Sequence, residues 1–438
     1  MRAFNYIPPQ LEPRLQNRFQ QLVQQHLHSA QTVAAGMKAL PGVSSTFAST
    51  QAAWRFYQNP SILLPDLAKP LLEHGREAIQ KDCQRFGLVM HDWSSLSYSN
   101  HKSKKDRKKL QHRRHWGYEL QSCLLVSDRD GQPLAPLVEE LNAKAGVYST
   151  RSEQVLPEPT RPEQMSQRMD YLSRLGLARP LVNLADREFD SVGHFRKWQK
   201  DHQLFIVRAK GNRRVQCQGQ EQLLKEAVKG LPLTFCRTVE YHGKEALQYV
   251  GEMEVVLHRA ARPTRPVKGK RRNVAGAPLR LRVIVSEVRL NSGRCVATWI
   301  LLSNLPKEVS AAEIALWYYW RWKIESFFKL LKSAGHHVEE WQQENAQAIA
   351  RRLLVASMAC VLVWQLARQT TAQAEALKLF LVRLSGRQMK RTKPWTIPAL
   401  MEGIWTLLAA LDALEADDGT QLANFVAWLS PLFTKGKT

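Results

Sequence analysis

The sequence predicts an α/β fold in which a mixed sheet core is interrupted by a β-strand insertion and flanked by helical regions. Three observations predict it. Strand-like apolar runs between about residues 85 and 210 first follow one another and then alternate with helical segments. Alternating apolar and polar residues mark residues 211–305 as further strands. The pattern is helical before residue 75 and again after about residue 308.

Residues 1–75 are predicted to form a helical N-terminal domain. Residues 11–40 are rich in Gln, Arg and Leu, and Pro41-Gly42 breaks the pattern. A second helix, TQAAWRFYQ, is predicted between a cap at Ser49-Thr50 and a stop at Asn59-Pro60. Two helices around a short turn, with Arg55 exposed, suit a module that reads a DNA groove, although an ordinary helical subdomain fits the same pattern.

The sheet core is predicted in two parts, residues 76–210 and 306–345, with the β insertion of residues 211–305 between them. The segments GLVMHDWSSLSY, ELQSCLLVS and QPLAPLVEEL are typical of three meandering strands. The strands PLVNLADREF and QLFIVRA then alternate with helices at about residues 162–177 and 190–201. Residues 346–438 are predicted to form a helical C-terminal region, which is a candidate for dimerisation.

The charge balance indicates a polyanionic partner. The chain has 63 Lys and Arg against 39 Asp and Glu, a formal net charge of +24, which makes nucleic acid the leading candidate. The N-terminus lacks the apolar core of a signal peptide, and the longest apolar run, residues 353–367, is typical of a buried helix rather than a membrane span. Six scattered cysteines without a CxxC pair favour a reducing cytoplasm over a disulfide or zinc module.

Two aspartates end apolar strand runs, Asp92 in MHDWSS and Asp186 in VNLADREF. Ligands of open α/β sheets bind at such strand ends, and carboxylate oxygens are the ligands that Mg²⁺ prefers. The alternative is that each aspartate only caps a turn.

The third candidate carboxylate lies in a predicted helix, WYYWRWKIESFFKLLKSAG. It belongs to a set at offsets 0, 3, 7 and 14, within an arc of about 60° on one face: Tyr318, Arg321, Glu325 and Lys332. A solvated face with an Arg321–Glu325 pair is the alternative. The surrounding aromatic residues favour a packed helix whose charged stripe lines a cleft. Three carboxylates could hold two divalent ions about 3.5–4 Å apart, while Arg321 and Lys332 grip phosphates and Tyr318 donates a hydrogen bond.

Two basic segments interrupt the predicted strands. Residues 101–115 hold eight Lys and Arg, including Lys104 and Lys105, and residues 259–272 hold seven, including Lys270 and Arg271. Such runs are commonly solvated loops, but beside a metal site we expect them to contact the DNA backbone. Arg208 and Lys210, after the strand QLFIV, are candidates of the same kind.

Taken together, these motifs resemble the DDE cut-and-paste transposases of bacterial insertion sequences. The chain is most similar to the "insertion sequence four" branch, whose Tyr-x2-Arg-x3-Glu-x6-Lys signature is met in full from residue 318 to residue 332. Residues 186–190, DREFD, match the second motif of the family, and residues 92–98, DWSSLSY, match the first. Trp93 stands where the family usually has Ser or Thr. The stretch ASTQAAWRFYQNP is similar to the DNA-binding region of these enzymes.

The resemblance implies a ribonuclease-H-like core and catalysis by Asp92, Asp186 and Glu325 with two Mg²⁺ ions, for which Mn²⁺ substitutes. It implies cleavage that frees a 3′-hydroxyl at the end of a mobile element, a hairpin intermediate, and strand transfer into target DNA by a homodimer in a synaptic complex. In the family, a tryptophan of the insertion stacks on an unstacked base. Trp299, in ATWILLSN, has the matching place, and a sheet-core tryptophan is the alternative.

Two other functions fit the same core. One is a non-transposing DNA nuclease, which needs neither an end-binding domain nor the four-residue signature. The other is a catalytically silent DNA-binding relative, which the presence of all three carboxylates disfavours. The sequence therefore favours an active transposase that works in the bacterial cytoplasm, at the nucleoid.

Overall fold

A computed structural model describes residues 7–28, 46–111, 115–241, 243–261 and 273–416. Its N-terminal region consists of three helices, α1 (Pro13–His28), α2 (Thr46–Gln58) and α3 (Leu64–Asp82). The predicted second helix is confirmed, but it begins before the expected cap. The predicted break at Pro41-Gly42 lies outside the described residues, and the domain boundary predicted at residue 75 falls inside α3.

The strands predicted for the first part of the core all form. These strands and the helices between them are β1 (Gly87–Ser97), β2 (Lys108–Lys109), β3 (Trp116–Ser127), β4 (Pro133–Ala143), β5 (Gly146–Ser149), α4 (Arg161–Ser173), β6 (Leu181–Ala185), α5 (Val192–Lys200) and β7 (Leu204–Arg208). They lie in the order β5-β4-β3-β1-β6-β7. The strands β1, β3 and β4 are antiparallel neighbours, whereas β6 runs parallel to β1 and β7 runs parallel to β6.

The predicted β insertion continues this sheet. Its elements are β8 (Arg214–Cys217), β9 (Gln220–Leu223), α6 (Leu224–Ala227), β10 (Thr234–Tyr241), β11 (Lys244–Leu257), β12 (Leu279–Leu290) and β13 (Cys295–Ser303). The last strand, β13, pairs antiparallel with β7, with Leu302 opposite Val207. The strands of the described residues therefore form one sheet of 13 strands, most of them antiparallel.

Helices cover both faces of the central strands. On one face, Met90 and Leu184 share a hydrophobic cluster with Ile324 and Phe327. On the other face, Ala185 and Phe205 belong to a second cluster with side chains of α4 and α5. Because side chains alternate along a strand, the even-numbered residues of β1 and β6 face the helix that carries Glu325.

The helix predicted around Glu325 is broken, so the prediction of one continuous helix is wrong. Two helices, α7 (Ala311–Tyr319) and α8 (Trp322–Leu331), meet at Trp320. The backbone N–H groups of Arg321, Lys323 and Ile324 bond to carbonyls three residues back, as in a 3₁₀ turn, rather than four residues back. This tighter turn separates α7 from α8 just before Glu325.

The C-terminal region is built around a buried helix, α9 (Ala346–Arg368), followed by α10 (Ala372–Leu384) and α11 (Ile397–Ala416). Helix α9 is long and apolar enough to cross a membrane, but 94% of its apolar window is buried inside the protein. The prediction of a buried helix is confirmed. Its Arg351 side chain donates to the carbonyls of Tyr57 and Ile62, both at 2.8 Å, which fastens the N-terminal helices to α9.

Candidate active site

Asp92 and Asp186 are brought side by side by the parallel pairing of β1 and β6. The register places Val89 opposite Asn183 and Met90 opposite Leu184. Each aspartate stands two residues beyond the last of these pairs, and each shares the face of Met90 and Leu184. Both carboxylates therefore point toward α8. Asp186 directly follows the end of β6, whereas Asp92 lies inside β1, two residues beyond the stretch that pairs with β6, so the prediction that Asp92 ends its strand is wrong.

Glu325 completes the group from the first turn of α8. The three predicted carboxylates line one open pocket of about 560 Å³. Three cations and two further acids also line it. The complete set of its other lining residues is Trp93, Ser94, Glu188, Arg321, Phe328, Lys329, Lys332, Ser333 and Glu339. We call this space the acid pocket. Residues that lie 94 and 139 positions apart in the sequence thus meet at one site.

Arg321 binds two of the three carboxylates. Its Nη1 lies 2.7 Å from Oδ2 of Asp92, and its Nη2 lies 2.6 Å from Oε1 of Glu325. The side chain is only 8% exposed, so solvent screens these charges weakly. The guanidinium therefore neutralises part of the acid pocket. The Arg321–Glu325 pair, which belonged to the alternative of a solvated face, is present, but its Arg321 is buried.

Burial raises the pKa of Asp92 to about 6. The Arg321 charge and a hydrogen bond from the Trp93 backbone N–H lower this pKa, whereas the charges of Asp186 and Glu325 raise it further. The repulsion shows that the three carboxylates act on one another. Asp186 is also held in place, because its Oδ1 accepts a hydrogen bond of 2.7 Å from the Glu188 N–H.

The donor set of the acid pocket fits a hard divalent cation. Three carboxylates from three elements face one pocket, and oxygen ligands are what Mg²⁺ and Mn²⁺ prefer. In the arrangement seen, however, the described residues include no group of three His, Cys, Asp or Glu side chains close enough to hold a metal ion. Arg321 is paired with both Asp92 and Glu325, so its positive charge opposes a divalent ion shared by these two carboxylates.

Trp93, which differs from the residue usual in the first family motif, contacts Glu188 of the second motif. Its indole N–H donates to Oε2 of Glu188 at 2.9 Å, and the Arg161 guanidinium lies 3.4 Å from the ring centroid. Arg161 also pairs with Glu188 and with Glu119, both at 2.6 Å. This network leaves no local pattern in the sequence, because Arg161 reaches Glu188 and Glu119 across 27 and 42 residues.

Of the remaining signature residues, Lys332 lies at the acid pocket and Tyr318 does not. Lys332 lines the acid pocket, where its Nζ donates to the Ser95 carbonyl at 2.9 Å. Lys329, which the sequence analysis missed, is exposed there one helical turn beyond Glu325, a spacing that could have revealed it. Tyr318 is buried under the β insertion and is not among the pocket-lining residues; burial raises its pKa to about 12.

Trp299 is buried as well. It is 5% exposed on β13, and its ring lies against Tyr318 and Tyr319, with centroid separations of 6.0 and 6.4 Å. In this arrangement its faces are covered by protein, so a base could reach the ring only after the side chain or its neighbours move. Base stacking by Trp299 stays a prediction.

Lys104, a predicted DNA contact, is buried in this structure. Lys104 is 1% exposed, and its Nζ donates to the Trp341 carbonyl at 2.9 Å and lies over the Tyr98 ring. Burial lowers its pKa to about 8. The other candidates are open to solvent to different degrees: Lys105, Arg55 and Lys210 are exposed and Arg208 is half-buried. Lys270 and Arg271 lie outside the described residues.

Carboxylates that converge on one open pocket are the type of ligand with which nucleases and polymerases hold divalent ions. A family model described as the transposase DDE domain matches residues 87–362, more than half of the chain. The chain therefore belongs to the DDE transposase family, whose domains generally use divalent metal ions.

Two further comparisons add no functional detail. A search of curated proteins finds no match. Among solved structures, the chain is similar to a piggyBac transposase in a synaptic complex with hairpin DNA. The TM-score is 0.38 at 10% identity, with 93% of this chain and 73% of that chain covered.

Proposed function

We propose that this protein is a transposase of the "insertion sequence four" branch. It binds the terminal inverted repeats of a mobile element, cuts the DNA there and joins the ends to target DNA. The observation that carries the proposal is the acid pocket, where Asp92, Asp186 and Glu325 meet from β1, the end of β6 and α8. Because the three signature acids lie far apart in the sequence, their meeting in one pocket is unlike a chance arrangement.

The strand order supports a ribonuclease-H-like core. Three antiparallel strands, β4, β3 and β1, continue into β6 and β7, which run parallel to β1. The β insertion joins the edge at β7, between the second aspartate and the helix of the glutamate. This is the organisation that the family resemblance implies, with the insertion placed before the catalytic glutamate.

We assign the residues of the acid pocket two roles in phosphodiester cleavage, metal binding to the acids and phosphate binding to the cations. Asp92, Asp186 and Glu325 would hold two Mg²⁺ ions, or Mn²⁺ in their place. Bound divalent ions supply activation of a water or 3′-hydroxyl and stabilise the leaving oxygen. Arg321 exchanges a carboxylate for a DNA phosphate, which its planar guanidinium can bind with two hydrogen bonds. Lys332 and Lys329 hold neighbouring phosphates as point charges.

Recognition of the DNA uses surfaces on both sides of this pocket. We assign contacts with the DNA backbone to Arg55, Lys105, Arg208, Lys210, Lys270 and Arg271, and a supporting position beneath Arg321 to Tyr318. The hairpin intermediate, a homodimer that pairs two element ends, and action at the nucleoid in the cytoplasm belong to the same proposal. They rest on the motif resemblance of the chain.

The direct test uses the DNA ends that flank the gene for this protein. The protein is incubated with these ends and Mg²⁺, and denaturing gels are expected to show nicks first and hairpins later. Glu325→Gln, which keeps the size of the side chain and removes its charge, is the matched control and should give neither. Cleavage of unrelated DNA at the same rate would indicate a non-transposing nuclease. Binding without cleavage in either Mg²⁺ or Mn²⁺ would indicate a silent relative.

A further inference from the structure

A second groove, strongly basic, lies close to the acid pocket. It has a volume of about 750 Å³ and is formed by the loop after β1, the short strand β2 and the ends of β3 and β4. We call it the lysine groove. Its lining residues are Ser99, Lys102, Lys104, Lys105, Arg107, Lys108, Lys109, Trp116, Ala143, Lys144 and Glu158.

Much of the positive charge of the lysine groove has no partner among the residues that the structure describes. The one acid of its lining, Glu158, is paired with Lys108. Lys104 and Arg107 are engaged with backbone carbonyls. The remaining four cations are exposed, and none of them forms an ion pair with a residue that the structure describes: Lys102, Lys105, Lys109 and Lys144. Unpaired cations converging on one groove indicate a polyanionic ligand.

Trp116 gives the groove an aromatic surface. It is 46% exposed at the start of β3, directly opposite Lys109 in the strand pair β2–β3. Its backbone N–H donates to Oγ of Ser99 at 3.1 Å, so the position of the main chain is fixed while much of the ring stays open. Exposed aromatic rings between lysines are the means by which proteins bind unstacked nucleic-acid bases.

The lysine groove is continuous with the acid pocket. An intermediate pocket of about 520 Å³ shares Lys108, Lys109 and Glu158 with the groove and shares Glu188 with the acid pocket. The carboxylates of the intermediate pocket are paired, Glu188 and Glu119 with Arg161 and Glu158 with Lys108. A strand leaving the acids can therefore follow one surface to the lysines without meeting a free negative charge there.

We propose that the lysine groove binds a single DNA strand close to the cleavage point, with one unstacked base on Trp116 and phosphates on Lys105, Lys109 and their neighbours. The proposal rests on the proposed function and adds a base-binding position to it. Trp116 is open to a base as the protein stands, whereas Trp299 is covered. A duplex would not use the ring, because its bases are already stacked.

Fluorescence anisotropy with a labelled 20-nucleotide oligo-dT tests base binding by Trp116 directly. The buffer contains EDTA so that no cleavage occurs. Because stacking of one base contributes about 1–3 kcal/mol, we expect Trp116→Ala to weaken binding by roughly tenfold or more. Trp116→Phe, which keeps a ring, should stay within a few-fold of the original protein. Phe380→Ala is the matched control, since Phe380 is equally exposed on α10, and should change nothing.

The lysines are tested through the salt dependence of the same binding. Each lost phosphate contact on a single strand lowers the slope of log K against log salt by about 0.7. We expect Lys105→Ala with Lys109→Ala to lower it by about 1.4, with thermal unfolding unchanged because both side chains are exposed.

Two results would overturn the proposal. One is an affinity of Trp116→Ala for oligo-dT within twofold of the original protein. The other is an equal loss for a duplex of the same length, which would mean a general effect on charge or folding. Failure of the proposed function looks different: the unaltered protein would then leave its own element ends uncut, whatever Trp116 does to single-strand binding.

Discussion

Arg321 and Asp92 form an ion pair of 2.7 Å across 229 positions of the chain. The same guanidinium binds Glu325, so one buried cation stabilises the cluster of acids in the absence of DNA. This arrangement predicts that two binding events are coupled, because a phosphate that attracts Arg321 would also release a carboxylate for a metal ion.

The first prediction concerns this coupling. We expect Arg321→Ala to bind Mn²⁺ at least tenfold more tightly than the original protein when no DNA is present, because removing a cation a few ångströms away lowers the repulsion of a divalent ion. Electron paramagnetic resonance of free Mn²⁺ measures the difference. Arg282→Ala, which removes an arginine paired with Glu252 in the β insertion, is the control and should have no effect. Equal Mn²⁺ affinity for Arg321→Ala and the original protein would contradict the coupling.

The second prediction concerns the acids themselves. Asp92→Ala, Asp186→Ala and Glu325→Ala should each lower cleavage of the element ends by about 10³-fold or more, while end binding persists, because each loses a ligand for the ions that stabilise the transition state. Denaturing gels and mobility shifts give the two readouts. Asp170→Ala is the control, because Asp170 is a half-buried acid of α4 that pairs with Lys197 and lies outside the acid pocket. Nicking retained by any of the three variants in Mg²⁺ would remove that residue from the metal assignment.

Much of the fold and the identity of the acids can be predicted from the sequence. The strands around Asp92 and Asp186 are apolar runs as long as ordinary strands. The i,i+4 spacing of Arg321 and Glu325 allows their ion pair. The break at Trp320, the burial of Lys104 and the contact of Trp93 with Glu188 could not be predicted in this way. Each depends on partners far away in the chain, such as Trp341, which lies 237 residues from Lys104.

The third prediction concerns Glu139 and Glu140, two neighbouring carboxylates of β4 whose pKa values are shifted in opposite directions. Burial raises the pKa of Glu139 to about 7, although Ser357 donates a hydrogen bond to it. Between pH 4.5 and 7, the folded protein therefore keeps a proton that the unfolded chain has lost, and the free energy of unfolding falls as the pH rises. We expect Glu139→Gln to remove this dependence and to be more stable at pH 8 by up to roughly 3 kcal/mol.

The control for Glu139 is the next residue. Glu140 pairs with Arg168 and Arg151, which hold its pKa below the ordinary value despite burial. Glu140→Gln leaves Arg168 buried without its partner and should destabilise the protein by about 3–5 kcal/mol at pH 8. Urea unfolding of both variants at pH 5 and pH 8 measures the effects. If Glu139→Gln lowers stability at pH 8, the burial of Glu139 has been misjudged.

The fourth prediction compares two adjacent lysines. Binding of element ends should weaken steeply with salt, and Lys105→Ala should lower the slope of log K against log salt by about 0.9, because the exposed ammonium binds one duplex phosphate. Lys104→Ala should leave the slope unchanged and lower stability by about 1–3 kcal/mol, since the Trp341 carbonyl loses its donor. Anisotropy titrations at several salt concentrations and thermal unfolding separate the two. A smaller slope for Lys104→Ala would mean that this side chain leaves the core when DNA binds.

The last prediction asks whether Trp299 has a role beyond packing. Trp299→Ala should leave nicking in place and lower the yield of hairpin, provided that the assay is run where the variant is folded, because the cavity costs about 3–5 kcal/mol. Trp299→Phe keeps a ring and should recover part of the hairpin. Trp198→Ala, which removes a fully buried tryptophan of α5, costs similar stability and should keep the ratio of hairpin to nicked product. If Trp299→Ala keeps this ratio as well, Trp299 only packs in the core. The base of the bent strand must then be held by another ring, and Trp116 is the exposed one beside the lysines.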